Sequence, residues 1–555
     1  MSRTPLFSMI TRALRQARRP TRPLPRAIDR DRRRLLQAGA GAALALPFVG
    51  ATGAGCSSAP TQVPVAIVGG GMAGLHVAYR LRQRGLLASV FEGSQRLGGR
   101  MFTDRSTFAQ PSGQHCELGG ELIDTGHMTM RDLATELGLE LLDYRTDDAS
   151  LQTDTAFFGG QIVPAADLLA AFGPIASAID DVYAQANDPN ALPSYIDDNG
   201  LGAYDQLSIS GFLDQIGASG SIRQLLEVAY NIEYGLETTE QSAMNLISLI
   251  STDTQQLALF GGSDERFHTA VGNDAFPSKL AAALDATQIA LEHKLVALGT
   301  EMDGRFRLTF DRPDGSKDFI ADRVVLALPF SLLREVDLAG VTLPDVKKKA
   351  IAELGYGTNS KLMVGFSSRP WRTLGYNGAS YTDLGYQNTW ETSRLQPGPD
   401  GILTNYTGGQ HGIDIGGGDA TKQRDTFLGQ IDMVFPGTAG ASTGAVARMA
   451  WPGYAFTKGS YACYKVGQWT SIGGSEFERV GNLHFCGEHT SVDAQGYMEG
   501  AAITGAMVAE AIGQDLGLPE PQAQSIPARR IAMRARLALQ DGSWKRALLR
   551  QRRAS

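Results

Sequence analysis

The stretch VPVAIVGGGMAGLHVAYR, starting at Val63, constrains this chain more than any other. VPVAIV is short, apolar and β-branched, as a buried strand is, and a helix is predicted from about Gly71 to Arg84. Between them stand Gly69-x-Gly71-x-x-Gly74, with Ala73 inside the pattern. Glycines there allow a tight turn and let backbone approach a pyrophosphate, which the free N–H groups of the helix start then bind. A second strand, LASVFE, ends at Glu92, eighteen residues past Gly74. Its carboxylate is placed to accept both hydroxyls of a ribose. The spacing predicts a βαβ unit built around a dinucleotide.

The chain has 555 residues, too many for one simple core, so two or more domains are expected. Its net charge of −7 is unevenly spread. Residues 1–55 carry +9 and residues 519–555 carry +7, leaving −23 for the body. An acidic body argues against nucleic acid as a partner and tolerates cationic ligands.

The basic N-terminus has an organisation of its own. Arg32, Arg33 and Arg34 precede Leu35-Leu36 and a weakly apolar run rich in Ala and Gly, the layout of a twin-arginine export signal. Pro47 interrupts the run, which is shorter than the roughly 20 residues of a spanning helix. The expectation is a periplasmic or otherwise exported protein that meets the twin-arginine machinery. The run closes at Gly53-Ala54-Gly55-Cys56, which resembles a lipoprotein cleavage box, so lipidation of Cys56 stands beside plain cleavage. The basic 519–555 tail is expected to be a solvated disordered segment, with an amphipathic helix on anionic lipid as the alternative.

The four cysteines (Cys56, Cys116, Cys463, Cys486) form no CxxC pair, and His484 and His489 flank a predicted strand end. No metal site is expected. A disulfide and a homodimer are left open.

The run GSQRLGGRMFT (93–103) adds Gly99 between Arg96 and Arg100, two cations suited to a diphosphate. It resembles the signature of the flavin-dependent amine oxidases, a family that includes monoamine, polyamine and L-amino-acid oxidases. ELGGELIDTGH (117–127), with Gly120, resembles the family's segment beside the flavin ring. FCGEHTSVDAQGYMEGAAITG (485–505) resembles its C-terminal flavin segment. The resemblance implies FAD as cofactor, with Glu488 near the ribityl chain and the Met498 N–H at the N1/O2 edge. That placement suits a helix start, which stabilises nearby negative charge. Val296, in HKLVAL, matches the position whose backbone holds the adenine.

On the substrate side the resemblance assigns Tyr461 and Tyr497 as walls perpendicular to the flavin, a cage for an amine. Lys361, in SKLMVGF, matches the flavin lysine that helps O2 accept electrons. Covalent members carry a cysteine where this chain has Ser460, so FAD is expected to be non-covalent. Amino-acid oxidases place a carboxylate-binding arginine where this chain has Leu122, which argues against α-amino acids. Asp124 or Glu121 is expected to pair with a distal ammonium, or else to bind turn N–H groups. An amino-acid clamp elsewhere would fall on Arg266 or Arg334.

The expected fold is α/β: a discontinuous Rossmann-type FAD domain (63–150, 264–335, 470–516) with a mixed α+β substrate domain (helical 151–263, sheet 336–469). A signal (1–55), a linker (56–62) and the basic tail (517–555) complete the chain. The expected reaction oxidises primary amines or polyamines: hydride passes from the α-carbon to flavin N5, the imine hydrolyses to an aldehyde, and O2 becomes H2O2. The rivals are an L-amino-acid oxidase and a desaturase-like FAD oxidoreductase.

Overall fold

The computed structural model describes residues 64–189, 191–520 and 525–540. The expectations for the export signal, Cys56 and residues 541–555 lie outside them.

Val65–Val68 is buried at all four positions, as a strand covered on both faces must be. It is central in a parallel five-stranded sheet. On one side follow Ser89–Phe91 and then Ile289–Ala290; on the other, Arg323–Leu326 and then Leu483–Phe485. Chain order reverses at Val65–Val68, so a crevice opens at its carboxyl end, where such sheets bind ligands. The helix Met72–Gln83 starts at that point and buries Leu75, Val77, Ala78 and Leu81 completely. Each large apolar side chain so buried contributes roughly 1.5–3 kcal/mol.

The helix Met498–Asp515 packs along Met72–Gln83. Its small residues allow the approach: a Cβ on Gly505 would stand 2.6 Å from the Ala73 carbonyl oxygen. A buried ion pair between Arg84 and Glu510 ties the two helices together.

A seven-stranded mixed sheet forms the second layer. Ser360–Phe366 lies between Ser442–Ala450 and Gly401–Thr407, and the sheet continues through Asn388–Glu391, Ser380–Thr382, Thr155–Phe158 and Gln161–Ile162. The last two strands fall in a stretch expected to be helical. TAFF pairs in parallel with Ser380–Thr382, a long-range contact that local pattern does not reveal. Helices Ala165–Ala184, Ile209–Gln215, Gly220–Tyr234 and Ala243–Leu249 cover this region. The pattern of residues 128–143 predicts one helix, but Met128–Glu136 stops short because Leu141–Asp143 is extended and pairs with Phe267–Thr269.

The basic tail differs most from expectation. Ile526–Gln540 is a helix docked on the body, with Ala528, Ile531 and Ala535 buried in the same core as Met72–Gln83. Arg530 and Arg534 both meet Asp132, and Arg536 meets Glu510 at 2.9 Å. Three of the four arginines of this helix are therefore spent on acids of the body. No helix among the described residues is long and apolar enough to cross a membrane.

Candidate functional site

A deep cleft opens at the carboxyl end of Val65–Val68 and runs toward the seven-stranded sheet. Two helix starts border it. Met72–Gln83 begins after Gly71, and Met498–Asp515 after Tyr497, and neither has a side-chain cap. Uncapped N–H groups and the positive end of the helix dipole make each start an anion site.

The three motif glycines do different work. Gly69 has φ +111°, and its Cβ would lie 2.6 Å from the Ala327 carbonyl oxygen. A Cβ on Gly74 would stand 2.0 Å from the Gly69 carbonyl oxygen, so helix and strand could not close. Gly71 has no such clash: a Cβ there would meet only the Gly99 Cα, 3.9 Å away. Gly71 and Gly99 face each other on the cleft wall, and side chains on them would fill the space a diphosphate needs. That cradle fits a dinucleotide.

Glu92 follows strand Ser89–Phe91 at the cleft wall. Its two carboxylate oxygens accept the N–H groups of Gly70 (2.8 Å) and Ser94 (2.9 Å). Lone pairs remain for a ribose, since a carboxylate accepts about four hydrogen bonds. Arg96 is committed to the Tyr454 hydroxyl and the Gly99 carbonyl, and stacks on Phe102. Arg100 donates to the Ser460 carbonyl (2.7 Å) and to Glu488 (2.8 Å). Both arginines line the cleft while bracing its loops. Glu488 also accepts the Gly496 N–H at 2.7 Å, which fixes the approach to Tyr497 and Met498. Ala73, Gly120 and Met498 line the cleft too, and Met498 packs on Gly120 so tightly that a Cβ there would lie 2.8 Å from its Cγ. His293, Lys294 and Leu295 line the adjoining wall, whereas Val296 does not; the ladder with Phe306–Asp311 steps over Val296.

At the other end the cleft is aromatic and acidic. Trp390, Tyr406, Tyr461 and Tyr497 line it with Glu233 and Glu265. Tyr461 donates to the Ile232 carbonyl (2.7 Å) and contacts the Tyr406 hydroxyl (2.8 Å). Tyr497 donates to Glu233 at 2.5 Å. One helix turn thus orients both tyrosines. Burial pushes the Glu265 carboxyl up to about 7.

Lys361 enters from the buried strand Ser360–Phe366 and is 5% exposed. Its ammonium donates to Glu121 (2.8 Å) and to the carbonyls of Gly119 (2.8 Å) and Glu117 (3.2 Å). The other Glu121 oxygen accepts from Trp390 and Thr392. Burial pushes the Glu121 carboxyl up, but the Lys361 charge and these hydrogen bonds outweigh it and hold it below the usual range. Glu121 is therefore the partner of Lys361 at the cleft wall, which corrects the expectation that it meets a substrate ammonium. For Asp124 the two expectations are a substrate ammonium or turn N–H groups. It is fully buried, accepts from Ser263 and the Glu265 N–H, and does not line the cleft. It holds the loop that carries Glu265.

Glu233 and Glu265 escaped the sequence reading. Glu233 is an acid in the apolar run VAYNIEY, a signal that could have been used; Glu265 had none. The candidate clamps are elsewhere: Arg266 is paired with Asp143, and Arg334 binds the carbonyls of Ile351 and Leu354. Cys116, Cys463 and Cys486 are buried, and the Cys463 sulfur accepts from Asn245.

Fold and cleft define a dinucleotide-binding flavoprotein. Residues 72–513 match the family model for flavin-containing amine oxidoreductases, and the chain belongs to that family. Its cofactor is FAD, and it is an oxidoreductase acting on amines. Among its relatives, the flavin-dependent L-tryptophan oxidase RebO of Lentzea aerocolonigenes is 26% identical, with 77% of this chain and 93% of that protein aligned. Polyamine oxidase 5 of Oryza sativa subsp. japonica is 25% identical over 80% of this chain and 87% of that protein. The fold is similar to that of cyclohexylamine oxidase from Brevibacterium oxydans IH-35A (TM-score 0.71, 21% identity, 82% and 99% of the chains covered). It is also similar to putrescine oxidase solved with putrescine (TM-score 0.67, 20% identity, 81% and 98%).

Proposed function

We propose that the chain oxidises primary amines, with diamines and polyamines preferred, and does not oxidise α-amino acids. One observation carries this reading. The aromatic end of the cleft presents Glu233 and Glu265, and among the described residues the only arginines on the lining, Arg96 and Arg100, are committed to protein partners beside Gly99 and Glu488. An α-carboxylate held there would lack the bidentate cation such groups take. An ammonium, by contrast, meets two carboxylates and four aromatic faces, each cation–π contact contributing about 0.5–2 kcal/mol.

Bound FAD supplies a two-electron acceptor for the C–H bond next to nitrogen, with O2 as the terminal acceptor. The residues position and polarise. Gly71, Gly99 and the start of Met72–Gln83 receive the diphosphate, and Glu92 the ribose. The start of Met498–Asp515 would hold the flavin edge where negative charge develops, as a helix N-terminus stabilises an anion. Tyr461 and Tyr497 would confine the amine, and Lys361 would place its amine nitrogen beside the flavin. FAD is non-covalent in this reading: Ser460 has no thiol, and its hydroxyl is bonded to Asn359 at 2.6 Å.

Peroxide-coupled turnover of monoamines, α,ω-diamines, polyamines and L-amino acids tests the proposal. Diamines or polyamines should give the highest kcat/KM. A profile led by L-amino acids would reject it and favour the amino-acid-oxidase reading. Export is a separate proposal, checked by comparing periplasmic flavoprotein from the native chain and from Arg32→Lys/Arg33→Lys.

A further inference from the structure

Behind Lys361, away from the substrate, three buried side chains converge. His115 and Glu117 flank Cys116 in extended chain, and alternate residues of a strand share a face. His268 comes from strand Phe267–Thr269, some 150 residues later. One potential ligand atom of each lies within 4.8 Å of the others. The residues are 9%, 1% and 2% exposed. His268 Nε2 is 3.0 Å from Glu117 Oε1, and the two imidazoles lie nearly parallel with centroids 5.8 Å apart.

The second observation is what these groups lack. The His115 ring makes no hydrogen bond among the described residues, although its Nε2 is buried. His268 Nδ1 is buried without a partner, and so is the hydroxyl of Tyr144, which stacks on His268 at 6.1 Å. Buried polar atoms without partners mark an unseen water or ion.

We propose that His115, Glu117 and His268 bind one first-row divalent cation, zinc being the best match to two imidazoles and a carboxylate. Glu117 is already oriented for this by Asn273 N–H (2.8 Å) and the Thr103 hydroxyl (2.9 Å), as outer partners orient metal ligands. The ion would pin two segments behind the cleft and fix the Glu117 carbonyl that accepts from Lys361. Its role is structural and independent of the substrate.

The test is elemental analysis of the tag-free holoprotein, dialysed against micromolar Zn2+ and then metal-free buffer. About one zinc per bound FAD is expected. Exchange with Co2+ should add a visible band beyond the flavin absorption. His115→Ala should lose the metal and keep its FAD, since that ring makes no other bond; His115→Gln serves if the alanine variant does not fold. Less than a tenth of an equivalent in the native protein means that water fills the site and overturns the proposal. Full retention by the His115 variants overturns it equally.

Discussion

The Lys361 ammonium lies 2.8 Å from the Glu121 carboxylate, both nearly excluded from solvent, at the wall where the aromatic cage meets the cofactor cradle. Removing one partner of a buried pair leaves the other uncompensated, at a cost of about 3–5 kcal/mol. Lys361→Met should therefore lower the denaturant midpoint, and Lys361→Met/Glu121→Gln should recover part of that loss. Functionally, Lys361→Met should reduce the oxygen-dependent kcat/KM by about 100-fold, as loss of a positioned charge does. Anaerobic bleaching by amine should change only a few-fold. Stopped-flow measurement of both half-reactions separates the two.

Glu233 holds the Tyr497 hydroxyl at 2.5 Å on the substrate side. Glu233→Gln should raise KM for a diamine about tenfold or more, equivalent to roughly 1.4 kcal/mol, and affect a monoamine less. Tyr497→Phe keeps the ring and should give the smaller effect. Equal losses for monoamine and diamine would remove Glu233 from recognition of the second ammonium.

Gly71 and Gly74 separate folding from cofactor binding. A Cβ at Gly74 would stand 2.0 Å from backbone oxygen, whereas one at Gly71 projects into the cleft. Gly74→Ala should lower the melting temperature of the apoprotein, and Gly71→Ala should leave it unchanged. Both should weaken FAD binding, as read from the flavin-to-protein absorbance ratio.

His484 gives the acid limb of stability. Burial, reinforced by Arg479 and Arg323, lowers its pKa to about 4 in the folded chain. Below the unfolded value near 6.5 the unfolded chain takes up a proton that the native chain refuses, so stability falls as pH falls. Between pH 7 and pH 5 this site alone should remove about 2 kcal/mol, and His484→Gln should flatten that slope. Denaturant unfolding at the two pH values measures it.

The cofactor cradle was legible because it is local. Gly74 is forced by the Gly69 carbonyl five residues before it, Gly69 has a positive φ of its own, and SKLMVGF reads as a buried strand without its partners. The substrate end was not, because it is assembled across the chain. Asp124 resembled a substrate acid by position, yet Ser263 and Glu265 come from some 140 residues away to bind it. Glu121 was read without Lys361, 240 residues distant, and the two then neutralise each other. In the tail, arginine count overshadowed the Ala528, Ile531, Ala535 spacing that marks a packed helix face.

The central claim is that this cleft selects an amine and rejects an α-carboxylate. Its most direct test is an anaerobic titration of the flavin absorption with 1,4-diaminobutane and, separately, with L-ornithine, which differs from it by one carboxylate. Bleaching by the diamine with no response to ornithine is the predicted result. Bleaching by ornithine alone would contradict the account and require a carboxylate clamp that Glu233 and Glu265 do not provide.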